Sequence, residues 1–170
     1  TIFMMMFAII TPAIFCASVV GHGRFNFLVI FTICWAIFVY YPLVHMVWAP
    51  HGFLASLGAV DFAGGLVVHV NAGITALILS GWVGRRKEIN AQHNNLSWVL
   101  IGTALLWIGW YGFNAGSALA VNDTAVQAML TTTVSSATAI VTWMMLDHYQ
   151  FNHVTLSGAC NGAIAGLVAI

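Results

Sequence analysis

Charge is what this sequence has least of. Four basic and four acidic side chains in 170 residues put the charged fraction at 5%, where a water-soluble domain carries about 25%. Arg24, Arg85, Arg86 and Lys87 cancel Asp61, Glu88, Asp123 and Asp147. That leaves no basic patch for nucleic acid and no charged tail of the disordered kind. Cysteine is nearly as scarce. Cys16, Cys34 and Cys160 are odd in number and lack framework spacing, so a disulfide scaffold is excluded and they read as small buried hydrophobes. No GxSxG elbow marks a nucleophile. The histidines at 22, 45, 51, 93, 148 and 153 sit near segment ends or in a loop, without metal-ligand spacing. Neither an enzyme nor a resident metal or cofactor is expected.

Apolar residues make up 61% of the chain, gathered into six runs at about 2–20, 25–48, 63–83, 96–121, 124–146 and 155–170. In hydrocarbon the backbone must satisfy its own hydrogen bonds, so runs of this length predict helices. The alternating ten-residue strands of a barrel are not visible. The expected fold is therefore all-α, a polytopic transmembrane helical bundle forming a single domain. The chain opens at Thr1 inside an apolar run, and its last run has 16 residues where a span needs about 20. Neither end has the form of a cleaved signal peptide. The expectation is a piece of a longer membrane protein.

The connecting segments carry an orientation. Arg24 lies in the first, and Arg85, Arg86 and Lys87 in the third; the second and fourth, around 49–62 and 122–123, have no Lys or Arg. The positive-inside rule then puts the odd-numbered connections in the cytoplasm and Asp61 outside. Eight residues of helix rise about 12 Å, so His69 is expected near the midplane of a hydrocarbon core about 30 Å thick. Gly65 and Gly73 flank His69 four residues to either side, a spacing that admits a neighbouring helix rather than lipid. Gly112 with Gly116, and Gly158 with Gly162 and Gly166, read as further small-residue seams. Pro12 and Pro42 fall inside predicted helices, where kinks are tolerated if neighbours satisfy the freed carbonyls.

Two readings stand for Asp61: a helix N-cap whose carboxylate accepts the first free amides, or an electrostatic lure at an external mouth. The two are compatible. An ionisable side chain at membrane depth, such as His69, marks a permeation path by default. Trp48 closes its segment where an interfacial belt residue is common. Phe3 and Phe7 are four apart, as are Phe113 and Ser117, so each pair shares a helix face. Such spacing serves packing as readily as recognition. Gathered together, Trp48, Phe7 and Ser117 would form a cage whose rings attract a cation and whose hydroxyl accepts a hydrogen bond from it.

The stretches HMVWAPHGFLASLGAVDFAGGLVVHVNAG, WIGWYGFNAGSAL and SGACNGAIAGLV, spread over the whole chain, resemble the ammonium transporter family (Amt/MEP, relatives of the Rh proteins). The resemblance implies an eleven-helix channel-like fold in which this chain corresponds to the third through eighth helices. It implies that Trp48, Phe7 and Ser117 line an external ammonium site supported by Asp61. It implies a gate of Phe7 and Phe113, with Phe3 beside it, and makes His69 the first of two pore histidines. Family membership further implies a homotrimer in the plasma membrane, with a cytoplasmic face open to a PII-type regulator. Two alternatives belong to the same fold: an ammonium sensor, and an Rh-type ammonia gas channel.

Overall fold

The computed structural model describes residues 2–21, 23–84 and 95–170. Arg85, Arg86, Lys87 and Glu88 of the third connection, and His22 and His93, lie outside the described residues. The chain divides into two compact units, Thr1–Ala91 and Gln92–Ile170. Helices make up every regular element among the described residues.

The first unit is built on α1 (Ile2–Val19), α2 (residues 25–48), the single turn α3 (Phe53–Ser56) and α4 (Gly65–Val83). The last three residues of α1 tighten into a 3₁₀ turn. Helix α2 carries a π turn over Ala36–Tyr40, in which the Tyr41 N–H reaches the Ala36 carbonyl, one residue further back than in an α-helix. The cause follows in sequence. Pro42 has no N–H for the Phe38 carbonyl and its ring clashes there, and one extra residue in the preceding turn opens that space. Phe15, Val19, Trp35, Tyr40, Val47, Val67, Ala72 and Leu79 form the core. The Phe15 ring stands edge-on to Trp35 at 4.7 Å. The indole of Trp35 donates to Thr75 Oγ1 at 3.0 Å, tying α2 to α4.

The second unit holds α5 (Leu96–Ala118), α6 (Asp123–Phe151) and α7 (Leu156–Val168). Each starts on a side-chain cap: Asn95 accepts from Ser97 and Trp98, Asn122 from Ala125, and Thr155 from Gly158. These caps satisfy amides that have no partner within their own helix. The seam expected at Gly158, Gly162 and Gly166 is filled by α6. A Cβ on Gly162 would lie 2.9 Å from the Ala139 carbonyl oxygen, and one on Gly166 2.5 Å from Ser136 Cα. Over that seam Ser135 donates to the Gly166 carbonyl (2.8 Å) and Ser136 to that of Ala163 (2.9 Å). At Gly112, which shares that spacing, a Cβ would meet nothing within this unit.

Beside the apolar core, polar side chains are buried and large apolar ones exposed. Thr11, Thr132, Ser136 and Asn114 are buried, while Ile9, Phe38, Leu77, Leu105 and Ile108 are exposed. Lipid tails are as apolar as these side chains, so close packing and hydrogen bonds hold the helices together. Among the described residues five helices are long and apolar enough to cross a membrane: α1, α2, α4, α5 and α6. Helix α7, expected over 155–170, is shorter, at 13 residues. Helix α6, expected over 124–146, runs to Phe151, and its 29 residues rise about 43 Å.

Candidate functional site

In the first unit Phe7 lies between two other rings. Phe3 stands edge-on to it at 5.0 Å and Trp48 edge-on at 5.5 Å. Phe7 is buried, and α1 supplies Phe3 and Phe7 from successive turns while Trp48 ends α2. The indole N–H of Trp48 donates to the Asp61 backbone carbonyl at 2.9 Å. Its hydrogen-bonding edge is thus committed, and what remains for a cation is its ring.

Asp61 organises the start of α4. One carboxylate oxygen accepts the Gly64 amide at 2.6 Å, and the other accepts those of Leu66 and Val67, both at 2.9 Å. Both readings of this residue left the cap open, and the geometry has it. Between cap and helix the chain turns at Gly64 in a left-handed conformation, φ +94°. A Cβ there would lie 2.8 Å from Val68 Cγ2 and 3.4 Å from the Phe7 ring. Glycine is required on both counts.

His69 sits on the π turn Gly65–Val70 that opens α4, with its amide donating to the Gly64 carbonyl at 3.0 Å. The ring is half-buried and within electrostatic reach of the Asp61 carboxylate. The run expected over 63–83 anticipated neither the π turn nor the non-helical residues 63–64, so His69 stands one helical turn from the start of α4. The wide turn also breaks the four-residue register with Gly65. Cβ atoms on Gly65 or Gly73 would meet nothing, so the helix expected against that face is not supplied by this unit.

The second unit carries Phe113 and Ser117 on the last turns of α5. Trp110 stacks on Phe113 at 4.6 Å, with the rings 18° apart. Ser117 Oγ donates to the Phe113 carbonyl at 2.7 Å, which uses its proton and leaves its lone pairs to accept. Next to Phe113 the buried Asn114 donates to Thr132 Oγ1 (3.0 Å) and to the Leu167 carbonyl (3.2 Å), holding this end of α5 to α6 and α7. The structure thus brings Phe3, Phe7, Trp48 and Asp61 together in one unit, with His69 on the helix Asp61 caps, and Phe113 with Ser117 in the other.

Sequence reasoning did not single out Gly64, Asn114, Thr11 or Tyr40. The last two carried a signal, because Thr11 directly precedes Pro12 and Tyr40 lies two residues before Pro42, and the helix must adjust locally at such points. Among the described residues no three His, Cys, Asp or Glu side chains gather as metal ligands.

The sequence model of the Ammonium Transporter Family matches residues 1–170. The ammonium transporter of Aquifex aeolicus is 47% identical over 168 residues, an alignment covering 99% of this chain and 40% of that protein. That of Mycobacterium tuberculosis is 43% identical over 179 residues, covering 99% and 38%. Among solved structures, Mep2 of Candida albicans superposes with a TM-score of 0.89 at 37% identity, covering 96% of this chain and 38% of that one. Mep2 of Saccharomyces cerevisiae gives 0.90 at 33%, covering 97% and 39%. The chain spans about two-fifths of the length of these relatives. An all-helical membrane segment whose match runs from its first residue to its last belongs to the ammonium transporter family.

Proposed function

We propose that the protein containing this chain transports ammonium, recruiting the cation at Trp48, Phe7 and Ser117 and passing it inward as ammonia along a path lined by His69. One observation carries the reading. Asp61 holds Trp48 through its backbone carbonyl and the start of the His69 helix through its carboxylate, so recognition and permeation elements share one rigid corner. Ammonium and potassium carry equal charge at similar size, so neither property separates them. Ring faces attract a cation by about 0.5–2 kcal/mol, more when it is desolvated, and a hydroxyl lone pair at Ser117 adds a directed acceptor that favours an N–H donor. A bare ion in an apolar passage is costly, at least about 2.5 kcal/mol for a charged group at membrane depth. Transfer of one proton from ammonium to water at the external mouth leaves neutral ammonia and removes most of that cost, and the phenylalanines 3, 7 and 113 then bar hydrated ions while ammonia passes. The imidazole of His69 accepts or donates a hydrogen bond to it. Reprotonation follows on the cytoplasmic side, where Arg24 and the connection containing Arg85, Arg86 and Lys87 lie in this reading. A homotrimer in the plasma membrane, and regulation by a PII-type protein at the cytoplasmic face, belong to the same proposal.

The test uses the full-length protein in cells that lack other ammonium uptake. His69→Ala is expected to abolish growth on low ammonium, and Trp48→Leu to raise the ammonium concentration giving half-maximal uptake by about tenfold, the loss of one desolvated cation–ring contact. Unchanged uptake in both variants would remove the reading.

A further inference from the structure

Asn114 is the last residue of α5 wound as an α-helix. Ala115–Ala118 tighten into a 3₁₀ turn, and Leu119 follows in a left-handed conformation, φ +52°. Phe113 stands just ahead of this junction and Ser117 just beyond it. The Ser117 hydroxyl donates back across it to the Phe113 carbonyl at 2.7 Å, leaving its lone pairs for an incoming N–H. A 3₁₀ turn advances about 120° per residue against about 100° in an α-helix, so by Ser117 the helix face has swung about 60° from α-helical register. Where the winding changes therefore decides where Ser117 presents its oxygen. Side chains from two other helices fix that place. The Asn114 amide, at 2% exposure, donates to Thr132 Oγ1 on α6 at 3.0 Å and to the Leu167 carbonyl on α7 at 3.2 Å. Thr132 gives its own proton to the Ala128 carbonyl at 2.6 Å, so toward Asn114 it accepts. Ser135 and Ser136 hold the neighbouring Gly166 and Ala163 carbonyls, which fixes α7 against α6 where Asn114 meets both. The far side of the junction is strained. A left-handed leucine crowds its Cβ against the following carbonyl, and Leu119 gains little burial in return, at 73% exposure within this unit. Such a backbone persists when its surroundings over-determine it. Here the Asn122 cap of α6 holds one end and Asn114 the other.

We propose that Asn114 is a positioning residue for cation recognition: its two interhelical bonds fix the α-to-3₁₀ junction, which aims Ser117 and so sets the discrimination between ammonium and potassium. The inference rests on the transport reading above. Potassium has no N–H to donate, and a hydrogen bond weakens steeply as its angle closes. A rotated Ser117 oxygen therefore costs ammonium a directed bond that potassium never made. The path beyond the recognition site stays intact.

The experiment measures ammonium flux, and its competition by potassium, with the purified full-length protein in liposomes. Asn114→Leu keeps the volume and deletes both donors; Thr132→Val keeps the shape and deletes one acceptor. Thr132→Val is expected to raise the half-saturating ammonium concentration about threefold, the size of one interhelical bond in a membrane. Asn114→Leu, which breaks two, is expected to raise it about eightfold. Both make potassium a stronger competitor, while maximal flux changes by less than about twofold, as when binding alone is weakened. Thr132→Ser, which keeps the hydroxyl, keeps the native values. Added to Ser117→Ala, Asn114→Leu is expected to change potassium competition no further, since the group it aims is gone. If Asn114→Leu fails to fold, Thr132→Val with its Ser counterpart decides alone. Lowered maximal flux at native affinity and native potassium competition would make the tie merely structural and overturn the proposal. Effects of Asn114→Leu and Ser117→Ala that simply add would overturn it too. Native affinity in Ser117→Ala would remove the recognition reading together with this inference, whereas a shift in Ser117→Ala beside a native Asn114→Leu would remove only the inference.

Discussion

At the scale of single residues, the corner at 61–64 is where sequence and structure diverge most usefully. Asp61 was legible as a cap, because a carboxylate before an apolar run has few other uses. Gly64 was not, because glycine in a membrane sequence marks a helix seam as readily as a left-handed turn. Its φ of +94° costs about 1–2 kcal/mol for any side chain, and the contact at 2.8 Å with Val68 adds to that. Gly64→Ala is therefore expected to lower the thermal unfolding midpoint of the detergent-purified full-length protein and to impair ammonium uptake, because the added carbon presses on Phe7. An unchanged midpoint would mean that the turn relaxes freely. Asp61→Asn keeps one acceptor oxygen for amides that now use two, so it should destabilise less than Asp61→Ala, itself expected to cost about 1–2 kcal/mol as a lost cap. Equal losses in the two variants would show that charge, and not acceptor geometry, matters at this position.

The elements were the most legible level. Apolar runs predict the helices because hydrocarbon forbids any other open-chain solution, and the 158/162/166 pattern marks a surface where α6 comes to rest. What the pattern leaves out is the partner: Gly112 has the same spacing and faces open space in its unit, since a small-residue stripe records close approach without naming what approaches. The two π turns were also invisible, although Pro42 hints at one. The seam yields a prediction at this scale. Gly166→Ala would set a methyl 2.5 Å from Ser136 Cα and 2.7 Å from the Ser135 carbonyl oxygen. Relief requires α7 to move away from α6, which also breaks the bonds from Ser135 and Ser136 to α7 carbonyls. Interhelical bonds in membranes contribute about 0.6 kcal/mol each and overpacking costs about 1–3. The variant is expected to lose about 2–4 kcal/mol, read as a lowered detergent-unfolding midpoint; a drop no larger than that of Ala165→Gly on the exposed side of α7 would contradict the seam.

For the whole molecule, orientation rests on very few charges, and the helix order turns it into a parity argument. Val60 and Val121 are fully or nearly fully exposed, at 92% and 104%, and with α4 and α5 each read as one crossing they are expected on one side. Asn152 follows one further candidate span, α6, and is expected on the other. It shares that side with Arg24, four spans away. The positive-inside rule assigns the Arg24 side to the cytoplasm. In a full-length protein freed of native cysteines, Val60→Cys and Val121→Cys are expected to react with a membrane-impermeant maleimide in intact cells, and Asn152→Cys only after permeabilisation. Labelling of Val60→Cys and Asn152→Cys from the same side would break the parity, and with it the count of spans. A consistent but reversed pattern would keep the spans and put Trp48 and Asp61 at the cytoplasmic mouth, where a cation site serves release rather than capture.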